Sequence, residues 1–114
     1  MAKRKQRRRR EPAPTDEYRD PDGNVLVLRR ELSAGSIAKL AERPASAAAS
    51  LDDAWARREE QLFERLAVRW EIAGLPIDDQ RTLLGRYRMA SAEERRWVRE
   101  MIAGHVERFL PELS

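Results

Sequence analysis

The chain has 114 residues, 41% of them hydrophobic and 38% charged, and no cysteine, which excludes disulfides, thiolate metal sites and thiol catalysis. Its net charge of +3 conceals a division: Lys3, Arg4, Lys5, Arg7, Arg8, Arg9 and Arg10 carry +7, and taking +7 from +3 leaves −4 for Glu11 to Ser114. No stretch approaches the ~20 apolar residues of a membrane helix, and Glu11, Pro12, Pro14 and Asp16 stand where a signal peptide needs its apolar run, so a cytoplasmic location is expected.

Arginine outnumbers lysine 20 to 3 and alanine occurs 16 times, a balance that points to a GC-rich coding sequence and a bacterial source. In such a setting the basic run is not read as a nuclear import signal.

Residues 1–15 combine like charges with two prolines and are expected to be a disordered basic tail. Asp20-Pro21-Asp22-Gly23-Asn24 has the residues of a tight turn and precedes the apolar run Val25 to Leu28, which predicts a short hairpin. The second strand is apolar on both faces, so Val25 and Val27 need cover as much as Leu26 and Leu28 do. A lone hairpin is marginal in water, and packing on helices or pairing with a second copy would supply the cover.

Ser33 or Ser36 caps a short helix running to about Arg43, ahead of Pro44, and Ala45 to Ser50 forms an alanine and serine connector. Ser50 then caps a long helix over Leu51 to Ala73, in which Trp55, Leu62, Leu66, Trp70 and Ala73 recur at helical spacing before Gly74 and Pro76 stop it. Its expected length is about 35 Å at about 1.5 Å per residue. A further helix opens at Asp78 or Asp79 with Leu83, Leu84 and Tyr87 on its apolar side. The last is opened by a capping box, Ser91 with Glu94, and carries Trp97, Val98, Met101, Ile102, Val106 and Phe109 up to Pro111. The expected fold is mainly α: a small bundle of three main helices, preceded by a short β-hairpin and short helix and by the basic tail. The organisation expected is 1–15 tail, 16–50 hairpin, short helix and connector, and 51–114 helical core.

The candidate nucleic-acid-binding residues are the seven basic ones of the tail, because arginine forks engage phosphates bidentately and a cationic run displaces counterions along a phosphate backbone. Nothing in the tail selects RNA over DNA, since it has no aromatic residue to stack on bases. A helix-turn-helix reading of Met89-Ala90-Ser91 with Arg95, Arg96 and Arg99 is outweighed by Glu93, Glu94 and Glu100 on the same helix, where pairs such as Glu93 with Arg96 and Arg96 with Glu100 are expected.

His105 falls within the apolar stripe of the last helix, which favours a core or rim histidine over a catalytic one. Asp20, Asp22 and Asn24 alternate like calcium ligands but lack the rest of an EF-hand. Trp55, Trp70 and Trp97 are read as core rather than partner anchors, and Glu59, Glu60 and Glu64 as surface carboxylates without a pocket. No cofactor, metal or catalytic residue is expected. The functional expectation is a non-enzymatic accessory protein whose tail binds nucleic acid or a nucleoprotein assembly while its body contacts a protein partner. A protein-interaction or dimerisation module with no nucleic-acid role is the alternative.

Overall fold

A computed structural model describes residues 14–41 and 51–113, with the side chains of 51–55 outside the description. The chain runs β1 (Thr15–Arg19), β2 (Val25–Arg29), α1 (Ala34–Ala41), α2 (Leu51–Leu66), β3 (Ala67–Ile72), β4 (Leu75–Ile77), α3 (Gln80–Arg88), α4 (Ala92–Phe109) and a terminal 3₁₀ turn (Pro111–Leu113). The four strands form one antiparallel sheet in the order β1-β2-β3-β4. This overturns the expected mainly α bundle: the hairpin at 15–29 is not an appendage but half of a sheet, and the other half comes from the segment read as the end of the long helix.

The first hairpin forms as its turn residues dictate. The Asp20 carboxylate accepts from the Asp22 and Asn24 amides at 2.8 and 2.9 Å and from the Asn24 side chain at 3.0 Å, while Gly23 takes the positive φ of 87° that the turn needs. The Asp20 carboxylate is thus engaged within the turn, and Asn24 Oδ1 is engaged by a backbone amide.

Helix α2 passes directly into β3 without a loop. Ala67-Val68-Arg69-Trp70-Glu71-Ile72 alternates in a way that a helix cannot use: Trp70 and Ile72 turn to the core while Arg69 and Glu71 turn away. Ala73 and Gly74 both have positive φ, 53° and 80°, which makes them the two-residue turn of a second hairpin rather than a helix stop. The Ala73 amide donates to Asn24 Oδ1 at 3.0 Å, so the turn of one hairpin is tied to the turn of the other.

Register explains how β2 is covered on both faces. Tyr18, Leu26, Trp70 and Ile77 lie on one rung and face the helices, where Leu26 and Trp70 are buried with Phe63, Leu66, Leu83, Tyr87, Val98, Ile102 and Val106. Phe63 stacks on Tyr87 at 4.7 Å between centroids and meets Trp70 edge-on at 5.8 Å. On the opposite face Val25 and Val27, each 6% exposed, lie outside that core. Arg19 and Glu71 flank Val25, and Glu17 and Arg69 flank Val27, the latter pair 3.9 Å apart. Long charged side chains thus roof the valines with their aliphatic stems. A bulge between Val27 and Leu28 then lets Ala67 meet Leu28 at the point where α2 ends.

The helices begin where their caps require. Ser33 Oγ accepts from the Ser36 amide at 3.1 Å to open α1, Asp79 accepts from the Thr82 amide at 3.0 Å to open α3, and the Ser91 and Glu94 capping box opens α4 with bonds of 3.0 and 3.1 Å. Arg58 of α2 donates to Leu40 O at the end of α1 and, at 2.6 Å, to Leu113 O, holding three elements together.

Candidate functional site

The last turn of α2 leaves carbonyls that a helix flowing straight into a strand cannot cap with a glycine. Side chains satisfy two of them: Arg29 Nε donates to Arg65 O at 3.0 Å, and Gln80 Nε2 donates to Glu64 O at 2.9 Å. Because Arg29 sits at the end of β2 and Arg65 at the end of α2, this brings two guanidinium groups together beside the start of α1. Arg65 Nη1 reaches Ser36 Oγ at 3.3 Å, and Ser36 Oγ also receives the Ser33 hydroxyl at 3.2 Å. The result is a cleft of about 280 Å³ lined by Arg29, Glu31, Leu32, Ser33, Ser36, Arg65 and Gln80. Neither arginine has a carboxylate within ion-pair distance among the described residues, unlike Arg30, Arg86, Arg88 and Arg99.

A second polar cluster lies between β1 and α4. His105 is 1% exposed, and its Nε2 is 2.7 Å from Arg29 O, an atom that only accepts, so Nε2 carries the hydrogen. Nδ1 of the neutral ring then accepts from the Tyr18 hydroxyl at 2.7 Å. Burial holds the His105 pKa below its ordinary value, against the opposing pull of Asp16 3.9 Å away. Burial also pushes the Tyr18 phenol up, while the bidentate Arg30 guanidinium holds Asp16 down. Tyr18 and Asp16 both lie at Nδ1 and the Arg29 carbonyl occupies Nε2, so the buried ring pins β1 and the end of β2 to α4.

Several of the other candidate side chains are engaged in ion pairs. Arg99 pairs with Glu59 at 3.2 Å and Arg88 with Glu60 at 3.0 Å, which removes Glu59 and Glu60 as a free carboxylate pair. Glu64 lines a groove of about 500 Å³ between α2 and α3 with Gln80, Arg81, Leu84, Gly85 and Arg88. The pairs expected within α4, Glu93 with Arg96 and Arg96 with Glu100, are not among its ion pairs. Instead Glu94 reaches across to Arg86 at 2.9 Å, which holds the Glu94 carboxyl below its ordinary range. Arg95 leans on Arg88 O at 3.4 Å, so of the three helix-turn-helix arginines only Arg96 is exposed without a partner among the described residues.

Trp70 is buried in β3, Trp97 packs against the core from α4, and the Trp55 side chain lies outside the described residues. So do Lys3, Arg4, Lys5, Arg7, Arg8, Arg9 and Arg10, together with the Arg43 helix end and the connector at 45–50. Among the described residues there is no group of three or more potential metal ligands, and no helix is long and apolar enough to cross a membrane.

The sequence offered Ser33 or Ser36 as a cap but did not assemble the cleft. Its signal was absent from local pattern: Arg29 and Arg65 are 36 positions apart, and a helix continued to Ala73 puts Arg65 in mid-helix rather than at a terminus. Comparison with family models, curated proteins and solved structures found nothing that matches this chain.

Proposed function

We propose that this is a non-enzymatic accessory protein whose basic N-terminal segment binds nucleic acid or a nucleoprotein assembly, in the cytoplasm, while its α+β body contacts a protein partner. The observation that carries the reading is the separation of charge, +7 in Lys3 to Arg10 against −4 in the rest of the chain. Such a division puts attraction for phosphate in the segment and leaves the body, on balance, mildly repulsive to it. The point of attachment supports it. Pro14 O accepts from the Arg30 amide at 3.0 Å, so the chain joins the fold beside Arg29 and Glu31 of the cleft.

The test is titration of labelled duplex and single strands, at two salt concentrations, with the full chain and with a variant in which all seven basic residues are glutamine. If every charge engages, the log-log salt slope on duplex DNA is about −6, and it collapses in the variant. Equal binding by both proteins overturns the proposal.

The alternative, a dimerisation module, is favoured by one observation: β1 has a partner on one side only, so the outer backbone groups of Thr15, Glu17 and Arg19 form a free edge among the described residues. Light scattering across concentration separates the two, because a constant monomer mass removes the alternative.

A further inference from the structure

We propose that the cleft between Arg29 and Arg65 binds a phosphoryl group. This goes beyond the basic-segment reading and does not depend on it. Arg29 spends only Nε on the Arg65 carbonyl, which fixes the guanidinium plane and leaves both terminal nitrogens to donate elsewhere. Arg65 spends one nitrogen on Ser36. Ser36 Oγ accepts from Arg65 and from the Ser33 hydroxyl, so its own hydroxyl hydrogen remains to be given to a ligand. Two guanidinium groups and a hydroxyl approach one space from different elements. That arrangement suits a tetrahedral anion with three terminal oxygens better than a planar carboxylate, which a single arginine fork satisfies. A cleft of about 280 Å³ also admits the group to which the phosphate is attached.

Two features oppose an anion and make the assignment demanding. Glu31 lines the same cleft, and the C-terminal end of α2 contributes partial negative charge. One guanidinium offsets at most one of these, so both arginines contribute to binding, and neutralising Glu31 strengthens it.

The experiment follows amide and arginine Nε signals of the isotopically labelled full chain during titration with inorganic phosphate at constant ionic strength. Saturable shifts are expected at Ser33, Ser36, Arg29 and Arg65. Arg65→Gln alters an exposed side chain whose only bond among the described residues is to Ser36, so the fold survives, and affinity falls by about tenfold for the lost charge-assisted bond. Glu31→Gln tightens binding. A combined Arg7→Gln, Arg8→Gln, Arg9→Gln and Arg10→Gln variant leaves the cleft shifts unchanged.

Shifts that grow without saturation, or that persist equally in Arg65→Gln, reduce the effect to ionic screening and overturn the proposal. A 5′-phosphorylated oligonucleotide identifies the source. If it moves the cleft signals, the phosphate belongs to nucleic acid; if inorganic phosphate alone does, the ligand is a small phosphorylated molecule. Loss of oligonucleotide binding in the four-arginine variant reports on the basic segment separately, so either idea can fail without the other.

Discussion

The Tyr18 hydroxyl donates to His105 Nδ1 across 2.7 Å, joining the edge strand to the last helix over 87 positions of sequence. The bond requires a neutral ring, because a protonated Nδ1 can no longer accept. Burial keeps His105 neutral in the fold, so as pH falls the unfolded chain takes up this proton first, near its ordinary pKa of about 6.5. The stability contributed by the group is therefore complete above that value and declines below it.

We expect the denaturation midpoint to drop between pH 7 and pH 5. In His105→Gln, whose amide can still donate to Arg29 O and accept from Tyr18, the decline within that window should vanish. Asp16 is held low by the Arg30 hydrogen bond, so its own contribution is lost only in the more acidic range where carboxylates protonate. An identical decline in the wild type and in His105→Gln would assign the proton to another group.

Ala73 occupies a left-handed conformation, with φ of 53°, immediately before Gly74. An alanine there costs about 1 kcal/mol that asparagine largely avoids, and Asn-Gly is the preferred pair for this turn. Ala73→Asn should raise stability by up to about 1 kcal/mol in urea denaturation. The bond from the residue 73 amide to Asn24 is a backbone donation and is retained. A loss of stability would show that the second hairpin does not turn as described.

Leu26 and Val27 are adjacent in β2 and both buried, yet only Leu26 belongs to the helix-facing core. Leu26→Ala should cost about 2 to 5 kcal/mol, because the cavity lies between rigid neighbours. Val27→Ala removes two methyl groups from beneath charged side chains that can settle onto the smaller residue, and should cost about 1.5 kcal/mol or less at about 0.8 per carbon. Chemical denaturation of the two variants measures the difference. Equal costs would mean that Val27 is covered by something as unyielding as the core.

Ser91→Ala removes the acceptor for the Glu94 amide at the start of α4, and should cost about 1 kcal/mol. Amide exchange should quicken at the first turn of α4 and leave its middle protected. Uniform acceleration along the helix would indicate that the cap governs more than the terminus.

The helices were readable where end signals and periodicity agreed. The capping box at Ser91 and the Asp20 to Asn24 turn follow from local chemistry and are present in the structure, and of Asp78 and Asp79, the two starts open to α3, Asp79 is the cap. The sheet was not readable, for a specific reason. From Leu62 the spacing to Leu66, Trp70 and Ala73 fits a helix face, and Gly74 is as good a helix stop as it is a hairpin turn. The counter-signal was the run from Val68 to Ile72, where β-branched and aromatic residues alternate with Arg69 and Glu71. Only a partner strand settles such a choice, and that strand, β2, lies 39 positions earlier at the Leu28 to Ala67 pair, beyond any local window. The cleft shared this fate, since it depends on α2 ending at Leu66.

The absence of a loop between α2 and β3 makes Leu66-Ala67 the least forgiving place in the chain for a change in length. Elsewhere a connection can absorb an extra residue, but here the strand would be fed one position late. Trp70 would be driven out to the face of Val27, and a charged neighbour would be carried inward against Phe63. One codon inserted at that junction would turn β3 over while leaving every existing side chain as it was.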